Sequence, residues 1–171
     1  SGCTSLESAD LSGVDTSNVE NMSDMFGGCE NLKDVNLADT DTSNVKDMSG
    51  VFSGCTGLES VDLSGVDTSS VENMSGLLEG CTSLKDVDLS GLDTSNVTDI
   101  SNLFSGCENL ENVNLDGLDT GNVTDMSGIF SGCRSLETVD MSDLDTSKVE
   151  NMDGMFNGCT NLGEIELPQG F

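Results

Sequence analysis

The chain contains no histidine. Without an imidazole the commonest general base and metal ligand is missing, and neither a Ser-His-Asp nor a Cys-His arrangement can be assembled. Basic residues are scarce too: Lys and Arg number 5 against 32 Asp and Glu, for a formal net charge of −27. A surface of that sign repels phosphate backbones, so nucleic acid is excluded as a partner. No apolar run approaches the roughly 20 residues that a membrane-spanning helix needs, which argues against membrane insertion. The residues at Ser1 lack the pattern of a signal peptide, so the chain is expected to be a mature form or a segment of a longer protein.

What the chain does have is a period. Cysteines stand at Cys3, Cys29, Cys55, Cys81, Cys107, Cys133 and Cys159, each 26 residues from the next. A fixed period of this size marks stacked supersecondary units that bury their apolar faces against one another. Counting from the cysteines gives six full repeats and a terminal half-repeat, 159–171, so residues 1–171 are expected to form a single repeat domain. Apolar residues fall in nine columns of the repeat, counted with cysteine as column one; only Ala38 and Phe171 lie outside them. A partner that docks through apolar contacts needs apolar residues off the core columns, so any interaction surface here should be polar.

Columns four to nine read L-x-x-V-x-L, as at Leu58, Val61 and Leu63, and predict one parallel strand per repeat. Further along, Val97, Ile100, Leu103, Phe104, Cys107 and Leu110 recur at steps of three and four, which predicts a short helical turn behind the strand. Gly28, Gly54, Gly80, Gly106, Gly132 and Gly158 then fall where a helix would end. Between strand and turn lies DTSNV, whole at Asp15 to Val19, Asp41 to Val45 and Asp93 to Val97; its Asp, Ser, Thr and Asn side chains favour a corner. The fold class is therefore an α/β repeat solenoid of leucine-rich-repeat type, with one parallel strand and a short helical turn per 26 residues.

Phrases such as DTGNVTDMSGIFSGC, from Asp119 onward, resemble the 26-residue repeat of bacterial surface proteins and mycoplasma-type surface lipoproteins related to the BspA-like leucine-rich repeats. The resemblance covers the whole chain and implies an extracellular or cell-surface module for adhesion or for binding a host or matrix protein or glycan. A stalk or spacer without a specific ligand is the alternative. BspA repeats commonly close their strand with Ile-Pro, whereas here only Leu167-Pro168 has that form.

Several columns could carry chemistry. For the cysteines, an odd number, the absence of any C-x-x-C pair and apolar neighbours favour buried thiols over disulfides or metal. Asp15, Asp41, Asp67, Asp93, Asp119 and Asp145 align in one column whose mutual repulsion must be offset, either by accepted backbone N–H bonds or by calcium held with help from Asp47, Asp99 and Asp125. Thr16, Thr42, Thr68, Thr94, Thr120 and Thr146 form a ladder that, if exposed, could match ice or mineral. Carboxylates that recur on every rung lack the distinctive environment a catalytic pair requires, so neither an enzyme nor a cofactor is expected.

On the strand, Glu7, Lys33, Glu59, Lys85 and Glu111 alternate in sign and should pair across rungs. Beside them Asp10, Asn36, Asp62, Asp88, Asn114 and Asp140 form the candidate binding face, suited to cationic or hydroxyl-bearing partners. Unpaired strand edges at the two ends predict weak end-to-end self-association.

Overall fold

Three-residue strands recur down one side of the molecule, because each repeat offers an apolar side chain flanked by two polar ones. In Ser8-Ala9-Asp10 the centre points inward and its neighbours outward. The computed structural model describes residues 2–171. Its strands are β1 (Ser8–Asp10), β2 (Asp34–Asn36), β3 (Asp86–Asp88), β4 (Asn112–Asn114), β5 (Thr138–Asp140) and β6 (Glu164–Glu166). They pair in parallel as β1 with β2, β3 with β4 and β5 with β6, in register with the repeat, so that Val87 lies opposite Val113.

The ladder is not continuous. The third rung places Ser60–Asp62 where a strand belongs, but no backbone bond joins residues 59–63 to the rungs on either side. A second break separates β4 from β5. Rungs are thus farther apart on the strand side at these seams than where the ladder is closed.

The opposite side is continuous, and it corrects the expectation of a helical turn. No helix is present among the described residues. Parallel bridges run unbroken through Asn21, Asp47, Asn73, Asp99, Asp125 and Asn151. After each bridge the chain makes consecutive tight turns: the N–H of Met25 donates to the carbonyl of Met22 at 3.2 Å, and that of Cys29 to Phe26 at 3.0 Å. The intervening amides point into the next rung, from Asp24 to Ser49 at 2.9 Å, Phe26 to Val51 at 2.9 Å and Gly28 to Ser53 at 2.7 Å. The third residue of each turn is left-handed, with φ of 52° at Asp24 and 71° at Gly28. A left-handed residue in every turn is incompatible with a helix, yet it places apolar side chains at the same steps of three and four. The glycine column is left-handed as expected; it closes a turn, not a helix.

Between the two sides lies a core made of the repeat columns, with Leu32, Val45, Phe52, Leu78, Leu84, Phe104, Phe130 and Leu136 fully buried. Phenylalanine rings stack from rung to rung, Phe26 on Phe52 at 5.7 Å and Phe104 on Phe130 at 5.4 Å. Leu78 takes the ring's place in the third repeat, so the stack is interrupted there. At the two ends the core columns lie open: Val14 is 48% exposed and Leu167 43%. Among the described residues no helix is long and apolar enough to cross a membrane.

Candidate functional site

Asp10, Asn36, Asp62, Asp88 and Asp140 stand exposed at the C-terminal ends of successive strand segments, with Asn114 half-buried among them. Each has a local task. The Oδ1 atoms accept the amide N–H two residues on: Ser12 at 2.9 Å, Ala38 at 3.0 Å, Ser64 at 2.9 Å, Ser90 at 2.9 Å, Asp116 at 3.0 Å and Ser142 at 2.9 Å. These bonds close the turn that ends the strand, as a short polar side chain does in an Asx-turn. The hydroxyl and amide of the following serine hold the carboxyls of Asp10, Asp62, Asp88 and Asp140 below their ordinary range. Neither Asp62 nor Asp88 has a bond to its second carboxylate oxygen.

The corner column is built in the same way. Asp15, Asp41, Asp67 and Asp93 each accept both the hydroxyl, at 2.6 Å, and the amide, at 3.0–3.1 Å, of the serine two residues on. Gly121 and Ser147 supply the amides for Asp119 and Asp145, at 3.0 Å and 2.8 Å. Repulsion within the column is real, since Asp15 and Asp67 both raise the pKa of Asp41, but the serine bonds outweigh it and leave the group lowered. Asp47, Asp99 and Asp125 cap Ser49, Ser101 and Ser127 likewise, at 2.8–2.9 Å. The geometry thus spends one oxygen of each acid on the backbone. Among the described residues no three acids or cysteines converge as metal ligands.

For the corner column this capping is one of the two arrangements the sequence offers; that the strand-end and bridge columns share it was missed by reading the columns separately. Its signal is present in the sequence: Asp10-x-Ser12, Asp15-x-Ser17 and Asn21-x-Ser23 repeat an Asx-x-Ser pattern three times in one rung.

The threonine ladder is interior, which corrects its candidacy as an ice or mineral surface. Thr42 is 1% exposed and Thr120 2%, and the hydroxyls of Thr16, Thr42, Thr68, Thr94 and Thr120 donate to the carbonyl of the next rung's aspartate at 2.7–3.0 Å. The cysteines are free thiols, buried from Cys29 to Cys133, exposed at Cys3 and partly covered at Cys159. Five of them donate to a carbonyl in the rung before, as Cys81 does to Phe52 at 3.1 Å. The alternating charges on the strand do not pair. Among the described residues the ion pair formed is Arg134 with Glu108, at 4.0 Å, in another column.

The remaining relief on the strand face comes from its seams. Between the third rung and β3 lies a cavity of about 230 Å³, bordered by Asp62, Asp88 and Ser90 and floored by Val61, Leu63 and Leu92. A smaller one, about 70 Å³, separates β2 from the third rung.

A family model described as a mycoplasma protein of unknown function, DUF285, matches residues 1–91 and again 80–166. The chain belongs to this family. Its repeat is of the mycoplasma and BspA-like leucine-rich type. A leucine-rich repeat protein from Bacteroides ovatus is similar in structure at 24% identity and a TM-score of 0.68, over 98% of this chain and 39% of its own length. The T. pallidum leucine-rich repeat protein is 27% identical with a TM-score of 0.60, over 95% of this chain and 67% of the other. This DUF285 chain therefore shares the leucine-rich-repeat solenoid fold and spans about two-fifths of the length of the first of these relatives. No curated protein matches it in sequence.

Proposed function

We propose that this DUF285 chain is a non-enzymatic interaction module whose strand face contacts a protein or glycan outside the cell. One observation carries the reading: the strand face joins exposed, uncommitted polar groups to the cavity that opens between the third rung and β3. The threonine hydroxyls and the thiols from Cys55 onward are spent on neighbouring rungs. The column-sixteen side chains also reach inward along the rod, as Asn44 and Asn96 do to the carbonyls of Ser17 and Ser69, both at 2.7 Å. On the strand face, by contrast, Glu59, Lys85 and the second oxygens of Asp62 and Asp88 face solvent without a partner. The family supports the surface location, because repeats of this kind resemble those of bacterial surface proteins.

The test is a panel of extracellular-matrix proteins and glycans, probed with two variants of equal charge change. Glu59→Lys with Asp88→Lys and Asp140→Lys alters the strand face; Glu20→Lys with Glu72→Lys and Glu150→Lys alters the opposite side. Binding lost only in the first variant supports the reading. Binding lost only in the second moves the surface to the opposite side, and no binding to any member favours a spacer.

A further inference from the structure

The cavity between the third rung and β3 combines the volume of a side chain with an apolar floor and a rim of two carboxylates. At closed pairs the amide of Leu11 bonds the carbonyl of Asn36, and that of Leu89 bonds Asn114, both at 3.0 Å. Leu63 makes no such bond to Asp88, and the two rungs part over a floor of Val61, Leu63 and Leu92. Val61 is half-buried there, whereas its counterpart Val87 is buried at 4% exposure. The rim carries Asp62 and Asp88, like charges one rung apart with no base between them.

We propose that this seam is a socket for one arginine side chain of a partner polypeptide; the inference rests on the strand-face reading above and names what that face accepts. At about 230 Å³ the cavity is smaller than the roughly 300–1,000 Å³ of pockets that enclose drug-sized ligands, so its scale is that of a side chain. An arginine buries its aliphatic stem on apolar surface and keeps its head polar, which matches a floor of valine and leucines below a rim of carboxylates. Its planar fork presents N–H groups in more than one direction, so a single guanidinium can serve Asp62 and Asp88 together. Lysine, a compact and strongly hydrated charge, meets this rim less well. The other seams lack the combination. The cavity beside β2 holds about 70 Å³, and the one at the break between β4 and β5, about 370 Å³, sets Glu111 beside Glu137 but is lined by polar residues alone, without an apolar floor.

The chain itself supplies the control. Asn36 and Asn114 stand in the same column and cap their turns with the same geometry as the aspartates, so Asp→Asn substitutions preserve the fold while removing charge. The 15N-labelled chain is titrated with N-acetyl-arginine amide, N-acetyl-lysine amide and the neutral isostere N-acetyl-citrulline amide. The arginine compound should shift the amides of Val61, Leu63, Ser64, Ser90 and Leu92 with saturation in the millimolar range. Lysine should bind several-fold more weakly and citrulline not at all. Asp62→Asn with Asp88→Asn should lower the arginine affinity at least tenfold, and Asp10→Asn with Asp140→Asn should leave it within twofold. Shifts spread evenly over all acidic rungs, an equal response to citrulline, or equal losses in both double variants would overturn the socket. None of those results bears on whether the matrix or glycan panel binds the strand face, so the two readings fail separately.

Discussion

The hydroxyl of Thr42 accepts the amide N–H of Asp67 at 2.8 Å and donates to the same residue's carbonyl at 3.0 Å, so one side chain satisfies two backbone groups of the next rung. Thr120 does the same for Asp145. Thr42 is buried, and removing its hydroxyl leaves both groups without a partner. Thr42→Val keeps the volume and should cost about 1–3 kcal/mol, since two hydrogen bonds of about 0.5–1.5 kcal/mol each are lost. Thr16→Val, which loses a single bond, should cost less. Urea denaturation measures both; equal midpoints for Thr42→Val and the unaltered chain would show that the ladder contributes nothing.

Gly106 sits at φ 73° in the turn column, with Gly80 stacked 3.6 Å from where a Cβ would lie. The space is adequate but the conformation is not, so Gly106→Ala should destabilise by about 1–2 kcal/mol. Gly91 has an ordinary φ and nothing within 4 Å of the added carbon. Gly91→Ala should therefore stabilise, by about 0.4–1 kcal/mol, through the unfolded chain. Opposite shifts in melting temperature are expected, and shifts of the same sign would refute the conformational argument.

The strand, the corner and the core were legible because burial acts on every rung alike. Leu58, Val61 and Leu63 repeat their pattern seven times, and the period alone aligns them. The helical turn was misread because side-chain spacing does not distinguish a helix from consecutive turns. The contrary signal was the position of Asp24, Gly50, Gly76, Asn102, Gly128 and Gly154, in the middle of the supposed helix. Only glycine, asparagine and aspartate occur there, and all six have positive φ. Thr68 and Asp62 show a different limit. Both are polar residues in a polar column, and only the stacking of rungs decides that one faces inward and the other out. The seam at Asp62 could not be read at all, since the third repeat keeps the strand pattern intact.

Thiol reactivity should follow the rungs. Burial raises the Cys55 thiol to about 11 and the Cys107 thiol to about 12, which removes the reactive thiolate at neutral pH. Cys3 is exposed and unprotected. A disulfide reagent should find one fast thiol in the folded chain, a slower one at Cys159, and all 7 after unfolding. Rapid labelling of Cys81 or Cys107 in the folded chain would contradict the packing of that column.

Acid should act through the serine-capped aspartates. The carboxyls of Asp15, Asp67, Asp93 and Asp145 are held below their ordinary value, first by the serine hydroxyl two residues on and then by its amide. Because the folded pKa is the lower one, the unfolded chain binds protons first as pH falls through the ordinary carboxylate range. The stabilisation is complete above that range and is lost as pH drops through the folded values. Ser69→Ala removes the 2.6 Å hydroxyl bond to Asp67 and keeps the amide bond, so the Asp67 carboxyl should titrate at higher pH than in the unaltered chain. Side-chain carboxyl carbon NMR reads this directly. Repulsion between rungs acts in the opposite direction, favouring protonation of the folded column, and it is weakened in 1 M salt, where the Debye length is about 3 Å. The separation between the two Asp67 titrations should therefore persist in 1 M sodium chloride; its collapse there would assign the shift to long-range charge instead of the serine cap.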